Sequence, residues 1–353
     1  MPPSATSQEI APPSTATPSA NRGVGAGFGI LVNANAKRGG RRVAVQIGRV
    51  LTGANVRLTK RASEIDAWLR AIPSMRCLLA AGGDGSAIAL VNALDRVVPK
   101  DAPLPPIGVI PLGTGNAWAH VTGARKLHIA LDELARARDP LPLREFGLVE
   151  CEGVLSHFAG SGWDAQVIED YRAQVASAKG PSARLAKTVY GYVAAMLVRT
   201  APKTLLLGRP HVIVENLGDE VYSITADRKL VKIEGARHGS VLYDGLASVA
   251  GVATCPEFGY RFRAYPFAER LLGHLNARVY CQSTPAAIRD IPKLWRGEHP
   301  LEGMHDWFST HIRMTFSRPV PLQIGGDAMG MRTTIEYKIS DRKVALLDWR
   351  RLA

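Results

Sequence analysis

Two glycine-rich turns, each following a short apolar run, constrain the fold of this 353-residue chain more than any other feature. Gly82-Gly83-Asp84-Gly85-Ser86 follows the run CLLAA, and Gly113-Thr114-Gly115-Asn116 follows IGVIPL. Such runs are typical of buried parallel strands, so both turns should lie at the carboxyl edge of one sheet. Glycines there let backbone N–H groups approach phosphate oxygens, and the following helix turns its unpaired N–H groups to the same anion. The pair therefore predicts a nucleotide phosphate site.

Asp84 places a carboxylate inside this predicted phosphate site. A negative charge is useful there only if a Mg²⁺ ion or a substrate proton lies between it and the phosphate. Phosphoryl transfer supplies both. A single GGDG is also consistent with a tight β–α turn whose Asp caps a helix. Two phosphate-type turns at neighbouring strand ends favour the phosphate site.

The first part of the chain has the pattern of an α/β fold. From Phe28 to about Arg138, short apolar runs alternate with helical stretches, which predicts a parallel sheet with crossover helices. The predicted helices lie near residues 40–52, 63–72, 86–97 and 116–136.

The pattern changes after about Leu143. Segments such as HVIVENLG, NARVYCQ and TTIEYKIS alternate polar and apolar residues, which indicates antiparallel sheets. We therefore predict an α/β plus β fold: an α/β nucleotide-binding domain over residues 25–142 and a β-rich substrate domain over residues 143–353. Its last strands should return towards the first domain.

Composition indicates a cytoplasmic protein. Residues 1–24 are rich in Pro, Ser, Thr and Ala without an apolar core, so they resemble a disordered tail and not a signal peptide. No apolar stretch reaches membrane-spanning length. The four cysteines are widely spaced without a CxxC pattern, which favours reduced thiols.

The chain is strongly basic, with 44 Lys and Arg against 31 Asp and Glu and a formal net charge of +13. Such a surface attracts polyanions, although the charge could also serve solubility alone. The sequence contains no zinc-finger spacing, RNP-type strand or basic region with heptads, so we expect no nucleic-acid partner. Peripheral contact with an anionic membrane surface is the preferred explanation. The oligomeric state stays open, with a homodimer as one option.

Three strings carry a family resemblance: LVNANAKRGG, GGDGS and PLGTGNAWA. They resemble the nucleotide-contacting motifs of the diacylglycerol kinase catalytic-domain family, which includes bacterial lipid kinases and sphingosine kinases and shares its GGDG turn with NAD kinases. The match is strongest before about residue 120 and returns at HFAGSGWDAQV and QIGGDAMG. The resemblance implies an NAD kinase-like nucleotide-binding domain followed by a lipid-binding domain, with ATP and Mg²⁺ as cofactors.

The resemblance also implies a set of nucleotide-binding residues. They are Asn33, Lys37, Thr59, Gly82, Gly83, Gly85, Ser86, Gly113, Thr114, Gly115 and Asn116. The segment from Asn33 to Gly40 lacks the family's Pro and Ser, and by itself it would favour a solvated basic loop over a phosphate clamp. Thr59 ends a predicted strand and needs no ligand there. The sequence contains no Walker A motif, so other loops must hold the phosphates.

Three acidic residues are candidates for the chemistry. Asp84 could hold the metal through water or accept the proton of the attacking hydroxyl, and the sequence does not separate these roles. Asp327, in Gly325-Gly326-Asp327, lies where the family carries Asp-Gly-Glu with the Glu as proton acceptor; a GGD tripeptide is otherwise a β-turn. Asp164 matches the family's Gly-Phe-Asp-Ala and could bond the lipid head, or cap a helix near Ala165. No metal ligand can be named.

These observations predict an ATP- and Mg²⁺-dependent lipid kinase acting on a primary hydroxyl of a diacylglycerol-like or sphingoid lipid, in phospholipid metabolism. ATP would lie in the cleft between the two domains. An NAD kinase is the alternative within the same chemistry. A non-catalytic lipid or nucleotide sensor is the alternative from another class, because this chain departs from the family at Ala117, at Gly325 and in LLGHLN.

Overall fold

The computed structural model describes residues 23–36, 40–113, 115–178 and 189–352. Of the tail predicted over residues 1–24, residues 1–22 lie outside this description. The first half begins with four parallel strands, β1 Phe28–Asn33, β2 Asn55–Thr59, β3 Cys77–Gly82 and β4 Ile107–Pro111. They are hydrogen-bonded in the order β2-β1-β3-β4.

Helices cover both faces of this parallel sheet. They are α1 Arg41–Val50, α2 Ser63–Ala71, α3 Asp84–Val97, α4 Ala117–Thr122 and α5 Leu127–Arg136. Along β3, Leu78 and Ala80 belong to one buried cluster, while Leu79 and Ala81 belong to the cluster on the opposite face. Because neither face of β3 meets water, its sequence is uninterruptedly apolar.

The single helix predicted over residues 116–136 is wrong in one respect, because the structure has two helices there. Gly123 ends α4 in the left-handed region with a φ of 82°, and its N–H bonds back to the carbonyl of His120. Glycine favours such a helix end since it has no Cβ to clash. The chain turns at this point, and α5 starts after Lys126.

The second half is rich in antiparallel strands. They are β5 Leu143–Cys151, β6 Val154–Ser156, β7 Phe158–Gly162, β8 His211–Asn216, β9 Tyr222–Ile224, β10 Leu230–Lys232, β11 Val241–Leu246, β12 Val249–Ala253, β13 Leu275–Tyr280, β14 Met304–Ser309, β15 His311–Ile324 and β16 Asp327–Leu347. With the parallel strands of the first half, they confirm the predicted fold class of α/β plus β.

Helices of the second half flank this sheet. They are α6 Trp163–Ser177, α7 Val189–Ala195, a π-helical turn Met196–Thr200, α8 Ala201–Leu207, α9 Thr284–Arg296 and the short C-terminal α10 Trp349–Leu352. None of the helices in the described part of the chain has the length and apolarity needed to cross a bilayer. Cys77, Cys151, Cys255 and Cys281 are free thiols, as predicted.

The long strand β16 joins the two halves. It pairs antiparallel with β15 and β5, and near its end Leu346 pairs in parallel register with Ile107 of β4. Trp349, two residues beyond the strand, is fully buried in the cluster that also holds Leu79 and Ala81. The strand therefore fixes its first residue, Asp327, relative to the parallel sheet.

The β15–β16 hairpin turns through two glycines. Ile324 pairs with Asp327, and the intervening Gly325 and Gly326 have φ values of 58° and 85°. Positive φ at both central residues is the requirement of a type I′ turn. A Cβ at Gly325 would lie 2.4 Å from Cδ1 of Ile88 on α3, whereas nothing lies within 4 Å of one at Gly326. The hairpin thus packs directly on α3.

These two glycines give a matched test of that packing. We expect Gly326→Ala to lower the free energy of unfolding by about 1 kcal/mol, the usual cost of a left-handed alanine. Gly325→Ala should cost about 1–3 kcal/mol more, because it also displaces Ile88. Urea unfolding of both variants measures the difference. Equal losses would contradict direct packing of the hairpin on α3.

Candidate functional site

The two glycine turns touch each other through their backbones. The N–H groups of Leu112 and Gly113 both donate to the carbonyl of Gly82, at 2.9 and 3.1 Å. A Cβ on Gly113 would lie 2.4 Å from Cα of Gly83, a distance that real Cβ atoms do not tolerate. The structure therefore brings the predicted turns together at one sheet edge, and glycine is required at Gly113 because no side chain fits between them.

A third loop, from the second half of the chain, lies against the second turn. Gly259 has a φ of 112°, and a Cβ there would lie 2.8 Å from Cα of Gly115. The N–H of Tyr260 donates to the carbonyl of Gly115 at 3.0 Å. Sequence reasoning missed this loop, although the glycine in PEFGYRF was a usable signal. The turns thus receive a backbone contact from the β-rich half.

Asp84 connects the two turns electrostatically. It is the first residue of α3, but its carboxylate lies at the N-terminus of α4, where it accepts the N–H of Trp118 at 3.4 Å. Burial raises the pKa of Asp84 to about 6, while the N–H groups of Ala117 and Trp118 and the charge of His120 act in the opposite direction. A carboxyl group with this pKa is ionised at neutral pH and can accept a proton.

A cleft of about 250 Å³ lies beside the first turn. We call it the strand-edge cleft. Its lining includes predicted nucleotide residues from three separate segments, together with one predicted catalytic residue: Asn33, Thr59, Gly85, Ser86 and Asp327. Asn33 is held in place because its Nδ2 donates to Oγ of Ser86 at 2.9 Å. The structure thus brings Asp327, distant in sequence, to the residues that follow Asp84.

Asp327 is paired with a residue that the sequence analysis did not single out. Arg172 on α6 forms an ion pair and hydrogen bond with the Asp327 carboxylate and also donates to the carbonyl of Gly326 at 3.4 Å. Both side chains are well exposed. No motif marked Arg172, because its role depends on where α6 lies relative to the hairpin.

Asp164 acts on the same hairpin through Gln323. Nε2 of the fully buried Gln323 donates to Oδ2 of Asp164 at 3.3 Å, and its Oε1 accepts the N–H of Gly326 at 3.0 Å. Oδ1 of Asp164 is buried without a partner among the described residues, and burial raises the pKa of Asp164 to about 6. The polar Gln323 in the apolar run PLQI was the signal for this connection.

Of the remaining predicted nucleotide residues, Asn116 is described by the structure, whereas Lys37 and Thr114 are not. Asn116 is buried in the left-handed region with a φ of 59°, and its Nδ2 donates to the carbonyl of Gly113 at 2.9 Å. Because Lys37 and Thr114 lie outside the described residues, the contacts predicted between these two residues and the nucleotide stay predictions. Within the described ranges, no three His, Cys, Asp or Glu side chains are grouped to hold a metal ion.

The raised pKa of Asp84 predicts a pH-dependent cost of its charge. Below the unfolded pKa near 4 the carboxyl group is protonated in both states, and the folded state is not penalised. As pH rises through about 6 the buried group ionises, and the free energy of unfolding falls. Asp84→Asn keeps an oxygen that can accept the Trp118 N–H but carries no charge. We therefore expect this variant to be about 1–2 kcal/mol more stable than the wild type at pH 8 and equal to it near pH 4.

Urea unfolding across this pH range measures that difference. Asp101→Asn, at an exposed position, is the matched control and should follow the wild type at each pH. A stability difference for Asp84→Asn that does not change with pH would contradict a buried, destabilised carboxylate.

Known proteins resemble this chain in sequence over a short region and in fold over most of its length. Residues 28–140 match the family model of the diacylglycerol kinase catalytic domain. An eye-specific diacylglycerol kinase of Drosophila melanogaster is 44% identical over 54 residues, which are 15% of this chain and 4% of that protein.

Two solved structures share the fold over most of the chain. A Bacillus anthracis protein provisionally assigned as a diacylglycerol kinase has a TM-score of 0.60 at 13% identity, covering 92% of this chain and 98% of that one. An NAD kinase from Archaeoglobus fulgidus, solved in complex with ATP, has a TM-score of 0.50 at 13% identity over 92% and 95% of the two chains. At these identities the likeness shows the fold. The resemblance in sequence rests on residues 28–140, which match the model of the diacylglycerol kinase catalytic domain.

Proposed function

We propose that this protein is an ATP- and Mg²⁺-dependent lipid kinase that phosphorylates a primary hydroxyl of a diacylglycerol-like or sphingoid lipid. The observation that carries the proposal is the meeting of two glycine turns around Asp84, next to a cleft that Asp327 enters from the other half of the chain. A phosphoryl-transfer site needs close backbone donors and a proton acceptor, and this sheet edge offers both.

The residues present fit a nucleotide. Gly83 and Gly113 hold the two turns together, and nothing lies within 4 Å of the Cβ position of Gly85, so phosphate oxygens could approach the backbone of the first turn there. Asn33, Thr59 and Ser86 line the adjacent strand-edge cleft with polar groups suited to a ribose. The ATP bound to the Archaeoglobus NAD kinase supports nucleotide binding by a fold of this kind.

A Mg²⁺ ion, when bound, would neutralise charge on the phosphates. Mg²⁺ commonly takes one or two carboxylates and completes its shell with water and phosphate oxygens, so a cluster of three acidic side chains is not required. Asp84 or Asp327 could supply such a carboxylate.

Two carboxylates are suited to accept the proton of the lipid hydroxyl. Asp84 is ionised at neutral pH with a pKa close enough to neutrality to hold a proton during the reaction. Asp327 is exposed to the cleft and paired with Arg172. We assign Asp84 as the acceptor and Asp327 as a second group on the path of the hydroxyl. Asp164, which holds the hairpin through Gln323, is our candidate for binding the polar lipid head.

A lipid acceptor fits the surface near α8. Leu205, Leu206 and Leu207 are 59%, 88% and 64% exposed, and Val198 on the preceding turn is 72% exposed. Exposed apolar patches of this kind mark interaction surfaces. The net charge of +13 would attract an anionic leaflet to the same protein. We therefore propose peripheral contact with a membrane that contains the substrate.

The test is a kinase assay with labelled ATP, Mg²⁺ and mixed micelles of diacylglycerol, monoacylglycerol, sphingosine and ceramide, with NAD in a separate reaction. We expect one labelled lipid from the wild type. Asp84→Asn should lower its rate at least 100-fold, as for loss of a general base, while Asp101→Asn should keep it. Circular dichroism spectra of both variants serve as the folding control.

The assay separates the alternatives. Labelled NADP without labelled lipid would replace the proposal with an NAD kinase, which the shared fold makes the specific rival. ATP binding without any labelled product would indicate a sensor. Full lipid kinase activity in Asp84→Asn would overturn the assignment of Asp84 while leaving the kinase in place.

A further inference from the structure

A second cleft, of about 750 Å³, lies beyond the carboxyl end of β4. We call it the cationic cleft, and the polar and basic residues that line it are Asn116, His120, Arg125, Lys126, His128 and Arg261. It shares none of these residues with the strand-edge cleft. Three of them are Arg or Lys and two are His, and no carboxylate is among them.

Acidic side chains neutralise only part of this charge. Glu133 pairs with Arg125 at 3.4 Å, and Glu257 contacts His120 at 3.2 Å. Within the described ranges, the side chains of Lys126 and Arg261 have no hydrogen-bond or ion-pair partner. The cleft therefore keeps two full cationic charges that no residue of the described chain uses.

The backbone of α5 adds donors to the same cleft. Leu127, His128 and Ile129 form its first turn, where N–H groups have no partner inside the helix. This turn contains no acidic residue, and Lys126 at the N-cap makes no side-chain cap. The N–H groups and the positive end of the helix dipole therefore attract a negatively charged ligand, as the basic side chains do.

Arg261 is held at the cleft by a strained and well-anchored loop. Gly259, Tyr260 and Arg261 have consecutive φ values of 112°, 50° and 61°, and the two non-glycine residues occupy a region that such residues avoid. Packing holds the loop: Phe258 stacks on Phe158 at 4.1 Å between ring centroids, and Phe262 stacks on Trp295 at 5.2 Å. Backbone strain of this kind persists where the surroundings impose it, often at binding sites.

We propose that the cationic cleft is a second anion site, which binds a phosphate group between Arg261, Lys126 and the first turn of α5. Guanidinium and ammonium groups with free N–H donors form short, charge-assisted bonds to phosphate oxygens. The phosphate could belong to an anionic phospholipid headgroup or to a soluble phosphate compound. Because Arg261 comes from the β-rich half and Lys126 from the α/β half, the bound group would link the two. The site does not depend on which substrate the protein phosphorylates.

The test uses the full chain and a double variant, Lys126→Gln with Arg261→Gln. The matched control, Arg70→Gln with Arg138→Gln, removes two exposed charges outside the cleft. Calorimetric titration with pyrophosphate, in saturating ADP, should show at least tenfold weaker binding to the cleft variant than to the control. ADP affinity itself should be the same in both. Thermal melting of each variant checks the fold.

Three results would overturn the proposal. Equal pyrophosphate binding by cleft and control variants would show that the cleft is only a solvated basic surface. A difference that exists without ADP but vanishes in saturating ADP would make the cleft part of the nucleotide site. A loss of ADP binding in the cleft variant would have the same meaning.

A vesicle arm distinguishes the source of the phosphate. Both variants are sedimented with phosphatidylcholine vesicles that contain or lack phosphatidic acid. Weaker binding of the cleft variant to the phosphatidic acid vesicles, relative to the control, supports a headgroup ligand. Equal sedimentation together with weaker pyrophosphate binding supports a soluble phosphate compound. Neither result depends on kinase activity, so failure of the proposed function would leave this test intact.

Discussion

Close backbone contact between glycines is the constraint on which the candidate site depends. Gly83 meets Gly113, and Gly115 meets Gly259, at distances that leave no room for a Cβ. Three loops from distant parts of the chain can therefore share one sheet edge with their backbones in contact. Any side chain between them would separate the turns and move Asp84 away from the N-terminus of α4. The close approach of the three loops is thus set by the absence of side chains at these glycines.

The second requirement is a rigid link between the halves, and β16 provides it. Its first residue is Asp327, at the strand-edge cleft, and its end is paired with β4 and secured by the buried Trp349. The Gly325–Gly326 turn that precedes it lies on α3, the helix that begins with Asp84. Asp84 therefore lies on α3 and Asp327 on β16, and the distance between the two carboxylates is determined by how the hairpin packs on α3.

Charge inside the site comes at a cost in stability. Burial raises the pKa values of both Asp84 and Asp164, which means that the folded chain holds their ionised forms less favourably than water does. Backbone N–H groups and Gln323 offset part of this cost. Shifted carboxyl groups of this kind cluster at functional sites, because proton transfer near neutral pH needs pKa values closer to neutrality. Uncharged Asn side chains at these two positions would avoid this cost in stability.

The sequence by itself determined the local elements and the meeting of two glycine turns at the sheet edge. The apolar runs identified β1 to β4 because parallel strands buried on two faces are uniformly apolar, and the glycines after two of them identified the turns. What only the tertiary structure decided were contacts across large sequence separations. Arg172 reaches Asp327, Gln323 connects Asp164 to the hairpin, and Arg261 lines the same cleft as Lys126, although no local pattern marks any of these pairs. Such pairs depend on how helices and strands lie against one another, which periodicity and turn residues do not encode.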